Sequence, residues 1–400
     1  MGLYRWIKVR TNFLLDRVID LCSAILTNMH GFPGSRWENA LRRLVQTIGD
    51  ACLLMNGFPR QSAFGLRGGE WSIVFIGSDR GAMEIQELLF PDQAVTKENL
   101  GRIPLWRIPG QTQRWLGEGI HLVIYESSRI QPWRPTARYA FTTPTWVFQI
   151  LPIPEPLEQA IAGRRLHGIR HRIRRANREG FGYRFSQSKE DFDTFYHHMY
   201  TPFISARYRE LALLSPYGDM WRRWFRKGGL VLVTQRDRPV AGSICYVGGE
   251  TCYTVEGGVL NDDPHLWQQG VNALVDWFAL QWGRARGAKY LGMGHSRAWR
   301  SNGVFLYKQR WHARVTRQRR IGCDWIFLAD RLPPSLHDRL NQIGLVSEID
   351  RKYYGVLLHH EDVEPDPQAI ESGAEHAVEQ GLAGIVLVSP RGVTTCVASP

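Results

Sequence analysis

Between residues 230 and 311 the clustering and alternation of apolar positions predict three strands, a long helix and a further strand. Residues 230–234 (LVLVT) form a leucine and β-branched run, closed by the turn-forming Gln235-Arg236-Asp237-Arg238-Pro239. Residues 240–247 resume as a strand, Gly248-Gly249 reads as a two-residue hairpin loop, and residues 251–259 return as the third strand. Asp262-Asp263-Pro264 then opens a helix predicted to run to about Arg286. Tyr290-Leu291-Gly292 is the strand after it. An antiparallel meander feeding a helix and one more strand is an uncommon order, and it restricts the fold more than any single motif does.

Other segments give coarser readings. Residues 3–26 have an amphipathic helical pattern with Arg5, Lys8 and Arg10 near the start. Asp16, Arg17 and Asp20 interrupt its apolar run, which argues against a secretory signal. The helical pattern of residues 1–60 breaks at Gly31-Phe32-Pro33 and again at Gly57-Phe58-Pro59. Short strands are predicted at 71–76 (WSIVFI) and 121–125 (HLVIY), and one more at 146–151 inside a Pro-rich crossing from a first domain to a second. Leu166, Ile169, Ile173 and Ala176 make an apolar helical stripe. Around it stand Arg164, Arg165, Arg170, Arg172, Arg174, Arg175 and Arg178, with His167 and His171. Aromatic helical runs fill 190–227. After residue 311 a strand near 323–328, a helix at 335–343 and a late strand at 384–388 are predicted, with 361–379 as an acidic linker or tail.

Composition adds a charge argument. Of 50 basic residues only 7 are Lys, so the positive charge is mostly guanidinium, which suits phosphates and carboxylates. Residues 361–400 carry a net charge of −6, leaving +18 on the rest of the chain. A polyanionic partner for the body follows: a nucleotide, a nucleic acid or an anionic lipid surface. The six Cys (22, 52, 245, 252, 323 and 396) show no metal-ligand spacing, which fits a reducing, cytoplasmic setting, with the inner face of a membrane as a further location. Cys245 and Cys252 are expected to face each other across the hairpin, as two buried thiols or as a disulfide.

The order meander, helix, strand, together with local residues, resembles the FemAB-like branch of the GNAT acyltransferase superfamily. The carrying residues are Pro144-Thr145-Trp146-Val147, then the basic helix Arg172-Ile173-Arg174-Arg175-Ala176-Asn177-Arg178-Glu179-Gly180. They continue with the aromatic helix DFDTFYHHMYTPFISARY, the meander, RARGAKYLGMG and the step Tyr307-Lys308. The resemblance implies an α+β, GNAT-like tandem fold with a degenerate N-terminal half and a C-terminal GNAT domain. Four regions follow: an N-terminal helix at 1–44, the degenerate half at 45–143, the GNAT domain at 144–330 and an extension at 331–400.

It also implies N-acyl transfer to a primary amine of a cell-envelope precursor, a polysaccharide sugar or a small metabolite. No cofactor is held tightly. Acyl-CoA or aminoacyl-tRNA is the co-substrate, with tRNA and a membrane surface as further partners. Aminoacyl transfer from charged tRNA is the alternative chemistry, and a binding protein that has lost its chemistry is the alternative class.

In such enzymes a coenzyme pyrophosphate sits where the meander meets the helix, because the helix N-terminus offers unpaired N–H groups and a positive dipole end. Gly270, Val259 and Leu260 are the cofactor-binding candidates there. Trp267 and Asn272 depart from the family's Gly-rich loop, and Asp262 and Asp263 place negative charge at the entrance, an expected obstacle to coenzyme A. Lys308 is the first catalytic candidate, for a developing oxyanion or a donor phosphate. Glu256 and His295 are candidate bases. Arg207, Tyr208, Tyr307, Arg174, Arg175 and Arg178 are the substrate-binding candidates.

Overall fold

The computed structural model describes residues 60–127, 137–162, 166–317, 322–359 and 366–397, apart from positions 92 and 391. The amphipathic N-terminal helix, both Gly-Phe-Pro breaks, Arg164, Arg165, Cys22 and Cys52 lie outside the described residues. The first part of the chain gives β1 (Arg60–Gly68), β2 (Trp71–Gly77), β3 (Thr96–Pro104), β4 (Leu122–Ser127) and β5 (Tyr139–Pro144), with α1 (Asp79–Leu89) and α2 (Ile108–Gly117). Strands β6 (Trp146–Pro152), β7 (Phe181–Ser186), β8 (Gly229–Gln235), β9 (Arg238–Gly248), β10 (Thr251–Val259), β11 (Tyr290–Arg297) and β12 (Arg314–Thr316) follow. Between them lie α3 (His167–Arg178), α4 (Lys189–Thr194), α5 (Thr201–Tyr208), α6 (Tyr217–Arg223), α7 (Pro264–Gln269), α8 (Val271–Arg284) and α9 (Gly303–Arg310). The chain ends with β13 (Asp324–Ala329), α10 (Pro334–Ile343), β14 (Val346–Ile349), β15 (Lys352–Leu358), α11 (Pro367–Glu379), β16 (Ile385–Ser389) and β17 (Gly392–Cys396).

These strands make three sheets, ordered β3-β1-β2-β4-β13-β5, β12-β6-β11-β10-β9-β8-β7 and β14-β15-β16-β17. The second sheet contains the predicted meander, and α8 covers one face of it through Val231, Val233, Cys245 and Cys252. The stripe Leu166, Ile169, Ile173 and Ala176 is buried in that same core, so α3 turns its arginines outward. Removing the three larger stripe residues from water stabilises the domain by roughly 2 kcal/mol each. The opposite face of the sheet, through Leu230, Leu232 and Ile244, packs on Phe192, Phe195, Met199 and Tyr200.

Several expectations are corrected. The predicted long helix is two helices, broken at Gly270, whose φ of +81° ends α7 in the left-handed conformation. The hairpin loop is Gly249-Glu250, because Gly248 pairs with Thr251 and Gly249 supplies the positive φ of +60°. That register sets Cys252 opposite Val247 and Cys245 opposite Thr254, and both thiols are free and buried. Residues 324–329, expected in the 144–330 domain, return to the first sheet between β4 and β5. The segment before β6 holds a second strand, β5, which pairs with that returning strand.

Strands β1 and β3 were not predicted. Polar and glycine residues dilute their pattern, and β3 is exposed on both faces for most of its length. Most of the acidic segment is helix rather than linker: α11 packs Ala374 and Ala377 into a core with Val147 and Phe305. The extension at 331–400 builds its own sheet, and Leu336, Leu340, Tyr354 and Val386 share a core with the first sheet.

Candidate active site

Strands β10 and β11 pair in parallel only over Thr251–Tyr253 against Tyr290–Gly292. Beyond that point β10 shifts register against β9 between Thr254 and Gly257, and β11 shifts against β6 between Gly292 and His295. Bulges bend a strand and re-aim its side chains. Strict alternation would put Glu256 on the face of Cys252, whose thiol reaches the Ala279 carbonyl of α8. Instead, Glu256 accepts a hydrogen bond at 2.8 Å from Ser215 Oγ on the opposite face. Gly258 follows, pressed so closely on the segment before α5 that a Cβ would lie 2.4 Å from the Met199 carbonyl carbon. Burial raises the Glu256 carboxyl to about 7, and the Ser215 hydrogen bond acts against that rise.

The other wall of the opening is held by α9. Lys308, only 5 % exposed, donates from Nζ to the His295 carbonyl at 2.7 Å. Burial lowers its ammonium to about 7, opposed by the negative charge of Asp276. Asp276 belongs to α8. Burial raises its carboxyl to about 6, while the Tyr307 hydroxyl, donating at 2.5 Å, and the Lys308 charge pull it down. Tyr307 itself is held well above the ordinary phenol range by burial and by Asp276. Lys308 therefore enters from the α8 side of the sheet, and Glu256 from the other.

The N-terminus of α8 has no side-chain cap. Gly270, immediately before it, lies under the Arg172 side chain of α3: a Cβ at Gly270 would come within 2.4 Å of Arg172 Cδ. The Arg172 charge is also felt at Tyr307. Asp262 and Asp263 are engaged elsewhere. Asp263 caps α7 by accepting from the His265 N–H at 2.8 Å, and Asp262 accepts from the Trp267 indole N–H at 2.9 Å. The expected obstacle thus belongs to the short helix, and the helix beginning after Gly270 carries no acid in its first turn.

Lys308, Tyr307 and Asp276 cluster on the α8 side with the Lys308 amine on the His295 carbonyl, Glu256 stands on the other face against Ser215, and the His295 ring packs edge-on against Phe148 at 5.0 Å. Gly270 lies at the start of α8. The side chains of Val259 and Leu260 pack into the core beside it. Arg207 lies over the rings of Phe203 and Trp267, at 5.5 and 4.8 Å, and Tyr208 is exposed. Arg175 is paired with Glu179, while Arg174 and Arg178 are exposed on α3. Sequence reasoning missed Asp276, Ser215 and the particular role of Arg172. Asp276 carries a legible signal, a lone acid in a helix otherwise rich in apolar residues. Ser215 carries none.

Residues 163–309 match the acetyltransferase (GNAT) domain family. No curated protein matches the chain significantly. Among solved structures, FemX is similar with a TM-score of 0.35 at 11 % identity, over 64 % of this chain and 80 % of that one. L-PGS from Bacillus licheniformis is similar with a TM-score of 0.34 at 12 % identity, over 70 % and 86 %. A GCN5-related N-acetyltransferase from Sphaerobacter thermophilus has a TM-score of 0.31 at 11 % identity, over 78 % and 90 %. Likenesses at this level say nothing of donor or acceptor. The family match spans the basic helix, the meander and Lys308, so residues 163–309 carry a GNAT acyltransferase domain.

Proposed function

We propose that the opening between β10 and β11 passes an acyl group from a phosphate-bearing carrier, acyl-CoA in the first instance, to a primary amine. The observation that carries this reading is the end of the β10–β11 pairing after Tyr253 and Gly292, with Glu256 on one of the two strands and Lys308 held on the other through the His295 carbonyl. The amine nitrogen attacks the carbonyl carbon, the C–N bond forms and the C–S bond to the carrier breaks. The proton leaving nitrogen goes to Glu256, whose raised pKa suits a base working near neutrality. Lys308, charged when an anionic donor is present, faces the negative charge developing on oxygen and sulfur. Donor phosphates rest at the uncapped start of α8 beside Arg172.

A second donor is favoured by one feature, the arginine face of α3, which extends from Arg172 past Arg174 and Arg178. That strip exceeds what one pyrophosphate needs and suits the phosphodiester backbone of an aminoacyl-tRNA. The acceptor class is an amine of an envelope precursor, a polysaccharide sugar or a metabolite. The test is transfer of labelled acetyl from acetyl-CoA, and of labelled amino acid from bulk aminoacyl-tRNA, to a panel of primary amines. Thermal shift with each donor is recorded in parallel. Stabilisation and turnover with acetyl-CoA are expected. Turnover with aminoacyl-tRNA alone would transfer the reading to the second donor. Neither stabilisation nor turnover with either would overturn the transfer reading.

A further inference from the structure

We propose that the segment from Arg207, at the end of α5, to Ser215 docks on an anionic lipid surface. Leu213 and Leu214 are 57 % and 40 % exposed, and Tyr208 is 40 % exposed. Tyr208 lies between the exposed Arg207 and Arg209, the leucines follow after Glu210-Leu211-Ala212, and the next helix adds exposed Arg222 and Arg223. The acids nearby are few. Glu210 lies in the loop, and Asp219 is already shared by Arg222 and Arg223 at 3.2 and 3.7 Å.

The loop's backbone is not loose. Arg80 Nη2 donates to the Leu211 carbonyl at 2.5 Å, the Ser215 N–H donates to the Tyr200 hydroxyl at 2.8 Å, and the Tyr196 hydroxyl donates to the Ser215 carbonyl at 3.1 Å. The Tyr200 hydroxyl also faces the Leu213 carbonyl at 3.4 Å. A main chain tied at both ends in this way presents its two leucines outward as a fixed feature.

Apolar side chains flanked by guanidinium groups match the boundary of a bilayer. The leucines enter the acyl region while the arginines meet headgroup phosphates, and each arginine adds electrostatic attraction that falls with salt. No helix among the described residues is long and apolar enough to cross a membrane, so contact through this loop is at the surface. Ser215 also holds Glu256, so docking would bring the lipid surface to the acceptor side of the opening. That last step rests on the acyl-transfer reading; the docking itself does not.

The test is flotation of the full chain with phosphatidylcholine vesicles and with vesicles of phosphatidylcholine and phosphatidylglycerol in equal parts. Recovery with the anionic vesicles and not with the neutral ones is expected, weakening as salt rises. Combining Leu213→Ser with Leu214→Ser should lower vesicle affinity by about tenfold or more while the thermal midpoint changes little, since neither side chain belongs to a buried core. Combining Arg207→Gln with Arg209→Gln should lower it less and flatten the salt dependence. Transfer to a soluble amine should be unchanged in the leucine double variant, so docking and the transfer reading fail separately. Absence of flotation with anionic vesicles would overturn the proposal. So would flotation undiminished in the leucine double variant, because another surface would then carry the contact.

Discussion

The parallel pair β2 and β4, with α1 following β2, and the parallel pair β10 and β11, with α8 between them, have the same strand pairings and opposite outcomes. Each pair is flanked by antiparallel neighbours, β1 and β13 in the first case, β9 and β6 in the second. In the first unit the parallel pairing runs from Ile73 to Ile76 against Leu122–Tyr125, with no register shift against either flanking strand. Glu126 comes next, and its carboxylate accepts from the Ser78 N–H at 2.6 Å, at the start of α1. The Cys323 thiol donates to its other oxygen at 3.2 Å. In the second unit both strands bulge away, α8 begins without a cap, and the charged side chain over its start is Arg172. A carboxylate from the chain itself occupies the anion position in one unit, while in the other that position faces a cation. The parallel strand pair and its helix are therefore a neutral frame. On the proposed reading, the bulges and the sign of one side chain decide whether it can take an outside anion.

The sharpest way to break this comparison is to disable the open unit. Glu256→Gln should lower turnover by about 10²–10⁴-fold, the range for a lost general base. It should not cost stability. The carboxyl rises from 4.5 to about 7 on folding, so the native state holds a proton that the unfolded chain has lost. Native stability therefore falls as pH climbs through that window, and the Gln variant should become relatively more stable at neutral pH. Turnover of the natural chain should rise with pH through about 7, and this limb should vanish in the variant. A variant with unaltered turnover would remove Glu256 from the chemistry.

Lys308→Met comes second, with a loss of about 10²–10³-fold, as for a removed oxyanion donor. The ammonium falls from 10.5 to about 7 on folding, so above about 7 the unfolded chain binds the extra proton. The natural chain should then gain about 1 kcal/mol per pH unit over the Met variant until the unfolded value is reached. Denaturant midpoints measured across that range check the sign.

How much of this was legible in the sequence follows from where the information lies. The meander, β11 and the α3 stripe were readable because their apolar periods are strong: Leu166, Ile169, Ile173 and Ala176 are all buried as the spacing requires. Lys308 and Glu256 were legible only through the family resemblance, since nothing in a lone Lys or a strand Glu announces burial. The break at Gly270 was missed because the apolar pattern runs on through Leu266, Val271 and Leu274, and a left-handed glycine leaves that pattern intact. The return of residues 324–329 to the first sheet is a long-range pairing that no local pattern encodes. The same holds for Glu126, which meets Ser78 across 48 residues.

The closed unit supplies a prediction of intermediate size. Glu126→Ala removes the acceptor from the Ser78 N–H and from the Cys323 thiol, and should lower stability by about 1–2 kcal/mol. Turnover and donor KM should stay as they are if, as proposed, the open unit handles the donor. If the variant instead bound a second equivalent of acetyl-CoA, measured by equilibrium dialysis, the carboxylate would be a plug in a working site. The first unit would then no longer count as degenerate.

The smallest expected effect sharpens the comparison most finely. Asp263→Ala removes the cap of α7 and should cost about 1 kcal/mol of stability. Asp262→Asn keeps an acceptor for the Trp267 indole and should cost less. Neither should change donor KM by more than about twofold at fixed ionic strength, because both carboxylates are engaged at the start of α7, away from the start of α8, and their charge is screened over that distance. Had the long predicted helix been continuous, both acids would stand at the donor's pyrophosphate, and neutralising them would improve donor binding several-fold with a flatter salt dependence. A KM that falls on either substitution would therefore place the donor at α7. A KM that holds, beside a lowered thermal midpoint, leaves it at the helix that begins after Gly270, where the charged neighbour is Arg172.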